Sequence, residues 1–319
     1  MEILAIIPAR SGSKGLPNKN IMLLNSKPMM AYSIEHALKS KLITRIIVST
    51  DSEQYMEIAQ RYGAETPFIR PMEFARDESL DIDVFYHALT WLRDNEGYLP
   101  DICIHLRPCS PVRNPYIIDE VVNRLIEDSE LDSVKTVSKN ALLPYKMWFM
   151  SEKWRLSPVI TDIHEGYNMP RQSLPETYYP NNIVDAVRSN VILEKKSMTG
   201  SNIGGYLIDE FFDIDYPEDV NTVESCIKIR DNRQSFLVDI EGVLLDHSGG
   251  LLRKNLEVLK KVKAKGHTVY LRCQEEKREK LIEKLSEKTF DGLVSSFVET
   301  DFYISPKNID IALLDMIIE

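Results

Sequence analysis

Between Pro8 and Asn20 the chain reads PARSGSKGLPNKN, which places three cations, Arg10, Lys14 and Lys19, within ten residues. Gly12 and Gly15 let the backbone come close to a ligand, and Ser11 and Ser13 add hydroxyl donors. Such a loop can wrap a triphosphate with backbone N–H groups and neutralise it with Lys and Arg. It carries neither the GxxxxGK[ST] pattern of a Walker A loop nor GxGxxG. The plain alternative is a solvated basic loop. Far along the chain, FDIDYPEDV presents Asp213 and Asp215. Carboxylates two residues apart on an extended segment face the same way. They can share one hard cation that also holds nucleotide phosphates. Asp215 alone could instead cap a helix beginning near Pro217, and Asp219 suits that helix's first turn.

The elements that must hold these groups read as alternating strands and helices. Ile3–Ile7 and Ile46–Ser49 read as strands, with apolar residues at helical spacing over Met29–Leu38 and Tyr55–Tyr62. Ile102–Leu106 is a third strand, followed by a helix near Tyr116–Ile126, and Val134–Val137 a fourth strand. This alternation predicts an α/β, Rossmann-like domain with a mostly parallel sheet covered by helices. Such sheets bind ligands at the carboxyl ends of their strands, which is where the first loop starts. From Pro144 to Asn202 repeated prolines break the pattern, predicting an excursion with few long elements; a helix returns over Pro217–Ile229. The polar stretch RDNRQS reads as a linker, dividing the chain into a domain over 1–230 and a smaller α/β domain over 235–319.

Composition narrows the function classes. A net charge of −10 argues against non-specific nucleic-acid binding. No run is long and apolar enough to span a membrane. The opening MEILAIIPAR reads as a buried strand and not as a secretory signal. Cys103, Cys109, Cys226 and Cys273 show no metal-ligand spacing and read as reduced thiols, so a cytoplasmic location is expected.

The first loop, IIPARSGSKGLPNKN, resembles the signature of the acylneuraminate cytidylyltransferases, enzymes that join CMP from CTP to a sialic-acid-like sugar acid. The resemblance implies that Arg10, Gly12, Ser13, Lys14, Lys19 and Asn20 cradle CTP, with Arg10, Lys14 and Lys19 neutralising the reacting phosphates. Three further segments agree with the family in order and spacing. IRPMEFARD brings Arg70 near the nucleotide; the residues alone also allow a surface ion pair of Arg70 with Asp77 or Glu73. LRPCSPVR brings Arg107 and Ser110 to the mouth of the site, with Cys109 in place of the usual Thr. FDIDYPEDV matches the family's metal-binding pair, so Mg2+ is the implied cofactor, held by Asp213 and Asp215.

On the acceptor side, LPYKMW places Lys146 where the family often has a lysine near the sugar. MPRQSLPETYYPNN is similar to the family's acceptor motif, with Arg171, Gln172 and Asn181 matching it. An arginine fork suits a carboxylate and the amides suit hydroxyl or acetamido groups. Asn182 replaces a Gly, and Asp185 stands where sialic-acid enzymes tend to place a Tyr; Asp185 could bind a sugar hydroxyl. Family members are commonly dimers, so a homodimer or higher homo-oligomer is implied.

The segment SFLVDIEGVL resembles the first motif of the haloacid dehalogenase (HAD) superfamily, with Asp239 at the nucleophile position and Glu241 replacing the second Asp. Cys273 stands at the Thr or Ser of the second motif, and Ser305 and Pro306 fall where the metal-binding Asp pair belongs. A truncated, catalytically inactive HAD-like domain is therefore expected. The whole reading is CMP transfer to an acidic nine-carbon sugar with release of pyrophosphate. The alternatives are activation of a 3-deoxy-octulosonate-type sugar, a metal-dependent glycosyltransferase, a non-enzymatic scaffold, and an active phosphatase fusion.

Overall fold

A computed structural model describes residues 1–13, 16–140, 142–208, 214, 216–231, 235–246, 250–264, 267–272, 292–294 and 302–304. The chain divides into two compact units, Met1–Glu224 and Ser225–Glu319.

The first unit runs β1 (Ile3–Pro8), the short pair β2 (Leu23–Leu24) and β3 (Lys27–Pro28), α1 (Met29–Leu38), β4 (Arg45–Ser49), α2 (Glu53–Arg61), α3 (Asp81–Glu96), β5 (Ile102–His105), α4 (Tyr116–Glu127) and β6 (Ser133–Lys139). The hairpin β7 (Trp148–Met150) and β8 (Leu156–Pro158) follows, then β9 (Tyr178–Arg188), α5 (Ser189–Leu193) and β10 (Ile203–Leu207). The main sheet has the order β10-β6-β9-β5-β1-β4. Its pairings are parallel except at β9, which runs antiparallel between β5 and β6.

β1 is buried from Ile3 to Ile7 because helices cover both faces of the sheet. Its odd residues, Ile3, Ala5 and Ile7, pack with Met30 and Ile34 of α1 and Ile118 and Val121 of α4. Leu4 and Ile6 pack on the other face with Phe85, Leu89 and Leu92 of α3 and Val191 of α5. The two-residue period of the strand thus feeds two separate cores. Each fully buried Leu, Ile or Phe contributes roughly 1.5–3 kcal/mol.

Two expectations change. The stretch after Pro144 contains an eleven-residue strand, β9, in the middle of the sheet, where few long elements were expected. The helix expected from Pro217 is α6 (Asp219–Asp231), whose first residue follows a turn containing Pro217. Asp219 caps that turn through its carboxylate, which accepts from the Tyr216 N–H at 2.8 Å.

The second unit carries β11 (Ser235–Asp239), α7 (Arg253–Ala264), β12 (Thr268–Arg272), β13 (Gly292–Val294) and β14 (Phe302–Ile304). These strands form an all-parallel sheet in the order β13-β12-β11-β14. Phe236, Val238, Leu259, Val262, Val269 and Leu271 pack as its core. Among the described residues, no helix is long and apolar enough to cross a membrane.

Candidate functional site

The first loop leaves the carboxyl end of β1 and is fastened at both ends. Ala9 N–H continues the β1–β4 pairing by donating to Ser49 O at 2.9 Å. Ser11 then donates twice to Asp51 just past β4, from its N–H to Oδ1 and from its hydroxyl to Oδ2, both at 2.8 Å. Asn20 Nδ2 closes the loop by donating to Arg10 O at 2.9 Å. Lys19 and Asn20 sit in a 3-10 turn entered through Asn18, which adopts φ 55° and accepts from Tyr55 OH at 3.4 Å. Gly12 has open space where a Cβ would stand, so protein packing does not demand a glycine there. Lys14 lies outside the described residues.

A cavity of about 270 Å3 opens beside this loop. Arg10, Ser13, Lys19 and Asn20 form one side, and Arg70, Asp77, Asp81, His105, Arg107 and Cys109 form much of the rest. β1 and β5 are neighbours in the sheet, and the segments leaving their carboxyl ends meet here with the 70–84 stretch, whose Arg70 is bonded to the end of β4. The site therefore gathers three arginines from segments sixty and thirty-seven residues apart (10 to 70, 70 to 107).

Arg70 is buried at 3% exposure and is no surface ion pair. Its Nη2 donates to Ser49 O at 2.8 Å and its Nη1 to Phe74 O at 3.3 Å, while Nε has no hydrogen-bond partner. Burial, with a further push from Arg10, brings its pKa down to about 10. Asp77, one of the partners the sequence suggested for Arg70, pairs with Arg10 at 2.9 Å.

Arg107 leaves β5 and is gripped on two sides. Its Nη1 donates to Asp185 Oδ2 at 2.9 Å and its Nη2 to Asp81 Oδ2 at 3.2 Å. Burial works against its charge, but Asp185 and Asp81 outweigh burial and raise its pKa. Lys135 reaches the same Asp185 oxygen at 3.0 Å. The strands explain this meeting: Asp185 on β9 lies opposite His105 on β5 and opposite Lys135 on β6. His105 is buried, and burial followed by Arg107, Lys135 and Arg113 holds its pKa well below the usual histidine value.

The LRPCSPVR turn is pinned from within. Arg113 is buried and donates to Ile183 O at 2.6 Å, to Ser33 Oγ at 3.2 Å and to Arg107 O at 3.2 Å. Ser110 is also fully buried, with its hydroxyl on Asn182 O at 3.5 Å, so it supports the turn from behind the cavity lining. Asp213 and Asp215 lie outside the described residues. Ile214, the residue between them, is buried and donates its N–H to Cys109 O at 3.1 Å, next to the cavity.

The acceptor-side residues are placed differently. Lys146 is exposed and donates to Met169 O at 2.7 Å and Tyr167 O at 3.3 Å. Arg171 and Gln172 are exposed in a 3-10 turn. Asn181 is buried, donating to Ser138 Oγ at 2.9 Å and accepting from Ile183 N–H at 3.3 Å. None of these, nor Asp185, lines the described cavity. Sequence reasoning missed Asp51, Asp81, His105 and Lys135. Asp81 carried a readable signal, an acid ahead of an apolar helical pattern; His105 and Lys135 become visible only through strand register.

A cytidylyltransferase family model matches residues 4–139. The chain is 34% identical over 239 residues to the N-acylneuraminate cytidylyltransferase of Escherichia coli O18:K1:H7, covering 75% of this chain and 54% of that protein. It thus spans about half the length of that relative. It is 34% identical to the CMP-N,N'-diacetyllegionaminic acid synthase of Campylobacter jejuni, covering 72% of this chain and 96% of the relative. A CTP complex of CMP:2-keto-3-deoxy-manno-octonic acid synthetase shares the fold, with a TM-score of 0.55 at 17% identity over 72% of this chain and 99% of that one. With a mixed α/β fold, a basic loop after β1 and a 34% identical relative matched over 96% of its length, this chain belongs to the cytidylyltransferase family.

Proposed function

We propose that the protein transfers CMP from CTP to a nonulosonic, sialic-acid-like sugar acid and releases pyrophosphate. The observation that carries this reading is the cavity in which Arg10, Lys19, Arg70 and Arg107 converge at the carboxyl ends of β1, β4 and β5. An otherwise acidic chain concentrates positive charge there, as the binding of a triphosphate and a sugar acid requires. Arg10, Ser13, Lys14, Lys19 and Asn20 hold the phosphates, and Arg70 and Arg107 complete the cationic wall. Arg171, Gln172 and Lys146 receive the acceptor, while buried Asn181 and Asp185 serve the wall from behind. Catalysis by these residues rests on positioning and charge neutralisation: the acceptor's anomeric hydroxyl attacks the α-phosphorus and pyrophosphate leaves.

Mg2+ fits the residues assigned to it. Asp213 and Asp215 offer hard oxygen donors, and Ile214 between them is fastened to the turn that lines the cavity. Held by Asp213 and Asp215, Mg2+ would supply positive charge against the nucleotide phosphates. Homo-oligomerisation is part of the reading: Trp148, Phe149, Met150 and Leu156 expose apolar area on the β7–β8 hairpin suited to a second copy. So is a cytoplasmic location, where CTP is at hand.

The second unit is proposed to be a HAD-like remnant without phosphatase activity. Asp239, at the nucleophile position, is held in a two-bond pair by Arg272, at 2.6 and 3.0 Å. Cys273, Ser305 and Pro306 lie outside the described residues.

The test is pyrophosphate release with CTP, Mg2+ and a panel of sialic, legionaminic, pseudaminic and octulosonic acids. CTP-dependent release with one of them establishes the reaction and names the acceptor. Failure to bind CTP sinks the reading. Transfer of a sugar from a nucleotide-sugar, without pyrophosphate release, would replace it with the glycosyltransferase alternative.

A further inference from the structure

Arg107 stands between two carboxylates of opposite character. Asp185 is buried, with its side chain 5% exposed, and one of its oxygens takes both Arg107 at 2.9 Å and Lys135 at 3.0 Å. Its other oxygen is buried without a hydrogen-bond partner, so the two cations are its principal hold. β9 fixes it from the middle of the sheet, between β5 and β6. Asp81 is the reverse: its side chain is 49% exposed, it meets Arg107 at the longer distance of 3.2 Å, and it lines the cavity.

The two pairs differ in how easily they exchange. Removing one partner of a buried pair strands the other charge without compensation. An exposed pair is weak, because solvent screens it and either side chain can swing away. Asp81 also loses little by letting go, because it is the first residue of α3, where the helix dipole favours a carboxylate. An anion entering a cavity that already holds Arg10 and Arg70 gains more from Arg107 than Asp81 does.

We propose that Asp185 is a positioning residue that holds Arg107 at the cavity wall, and that Asp81 is a built-in competitor which an anionic group of substrate displaces from Arg107. The group is a CTP phosphate or the sugar acid's carboxylate, which share the chemistry an arginine fork recognises. This inference rests on the cytidylyltransferase reading. Asp81 keeps Arg107 extended and neutralised in the empty site, and sets the affinity an incoming anion must exceed.

The test is steady-state pyrophosphate release by wild type, Asp81→Asn and Asp185→Asn, varying CTP at saturating acceptor and then the acceptor at saturating CTP. Asp81→Asn is expected to lower the KM of one substrate by about two- to fivefold, the size of one exposed ion pair, with kcat little changed. Asp185→Asn is expected to raise that same KM by about tenfold or more, since Arg107 and Lys135 lose their buried counter-charge. The substrate whose KM moves is the one that docks on Arg107. A purely structural role would not give opposite signs at the two positions. An unchanged or raised KM for both substrates in Asp81→Asn overturns the inference while leaving the reaction intact. If Asp185→Asn does not fold, the Asp81→Asn result decides alone. Wild-type protein without CTP-dependent turnover overturns both the reading and this inference.

Discussion

Both units bring charged side chains to the carboxyl ends of parallel strands, yet they use them in opposite ways. In the first unit, Arg10 and Arg107 each have a cavity-side carboxylate that is partly exposed, Asp77 at 33% and Asp81 at 49%, while buried Asp185 holds Arg107 from behind. In the second, Asp239 ends β11 directly opposite Arg272 on β12, and the two are locked by a fork of two hydrogen bonds. The same placement at parallel strand ends therefore goes with a cavity whose charges can exchange partners in one unit and with a pair whose charges are already committed in the other. A strand-end charge becomes a binding group only when its protein partner is weaker than the ligand.

The comparison breaks most visibly at the acidic pair of the first unit. Asp213→Ala is expected to lower kcat by about a thousandfold or more, because charge stabilisation at the phosphates is the largest catalytic contribution. Retained activity with Asp213 and Asp215 both replaced would remove them from the site. Arg10→Ala comes next, with kcat/KM down by about a hundredfold, the scale of one lost charge-assisted donor on a reacting phosphate. Calorimetry should show weaker CTP binding in the same variant.

The second unit should respond in stability alone. Arg272→Ala leaves Asp239 without its fork and is expected to destabilise that unit by about 1–2 kcal/mol, discounted for the partial exposure of both groups. Pyrophosphate release should stay at the wild-type rate. A loss of turnover would tie the second unit to catalysis, and phosphate release from a sugar phosphate by wild type would revive the phosphatase alternative.

The contrast also explains what could be read from the sequence. The apolar runs of β1, β4 and β5 and the periodic helices α1, α2 and α4 were legible because burial on both faces writes itself into residue type. β9 was not, because NNIVDAVR carries Asn181 and Asp185 inside a strand, and both are held by partners on β6 and, through Arg107, just past β5. Held by tertiary partners that the local sequence does not show, those polar residues interrupt the apolar run and hide the strand's pattern. The basic loop was legible as a cluster of cations because those cations are local in sequence. The Asp185–Arg107–Asp81 chain was not, because it joins residues 78 and 26 positions apart.

The smallest effect concerns His105, which the first unit buries beside its own cations. Burial, then Arg107, Lys135 and Arg113, depress its folded pKa, so the folded state keeps it neutral while the unfolded chain protonates it near the ordinary value of about 6.5. A depressed histidine contributes its full stability above the unfolded pKa. As pH falls below about 6.5 the unfolded state binds a proton that the folded state refuses, and stability declines by up to about 1.4 kcal/mol per pH unit. His87 is depressed in the same direction, by burial and Arg70, so the wild-type slope carries both. His105→Gln should remove one proton's share of that slope between pH 6.5 and 5.5, whatever it costs at neutral pH. Urea unfolding read by tryptophan fluorescence isolates the first unit, because Trp91, Trp148 and Trp154 all lie within it. Equal slopes in wild type and variant would mean that His105 accepts a proton in the folded protein, and that the cations around Asp185 do not govern it.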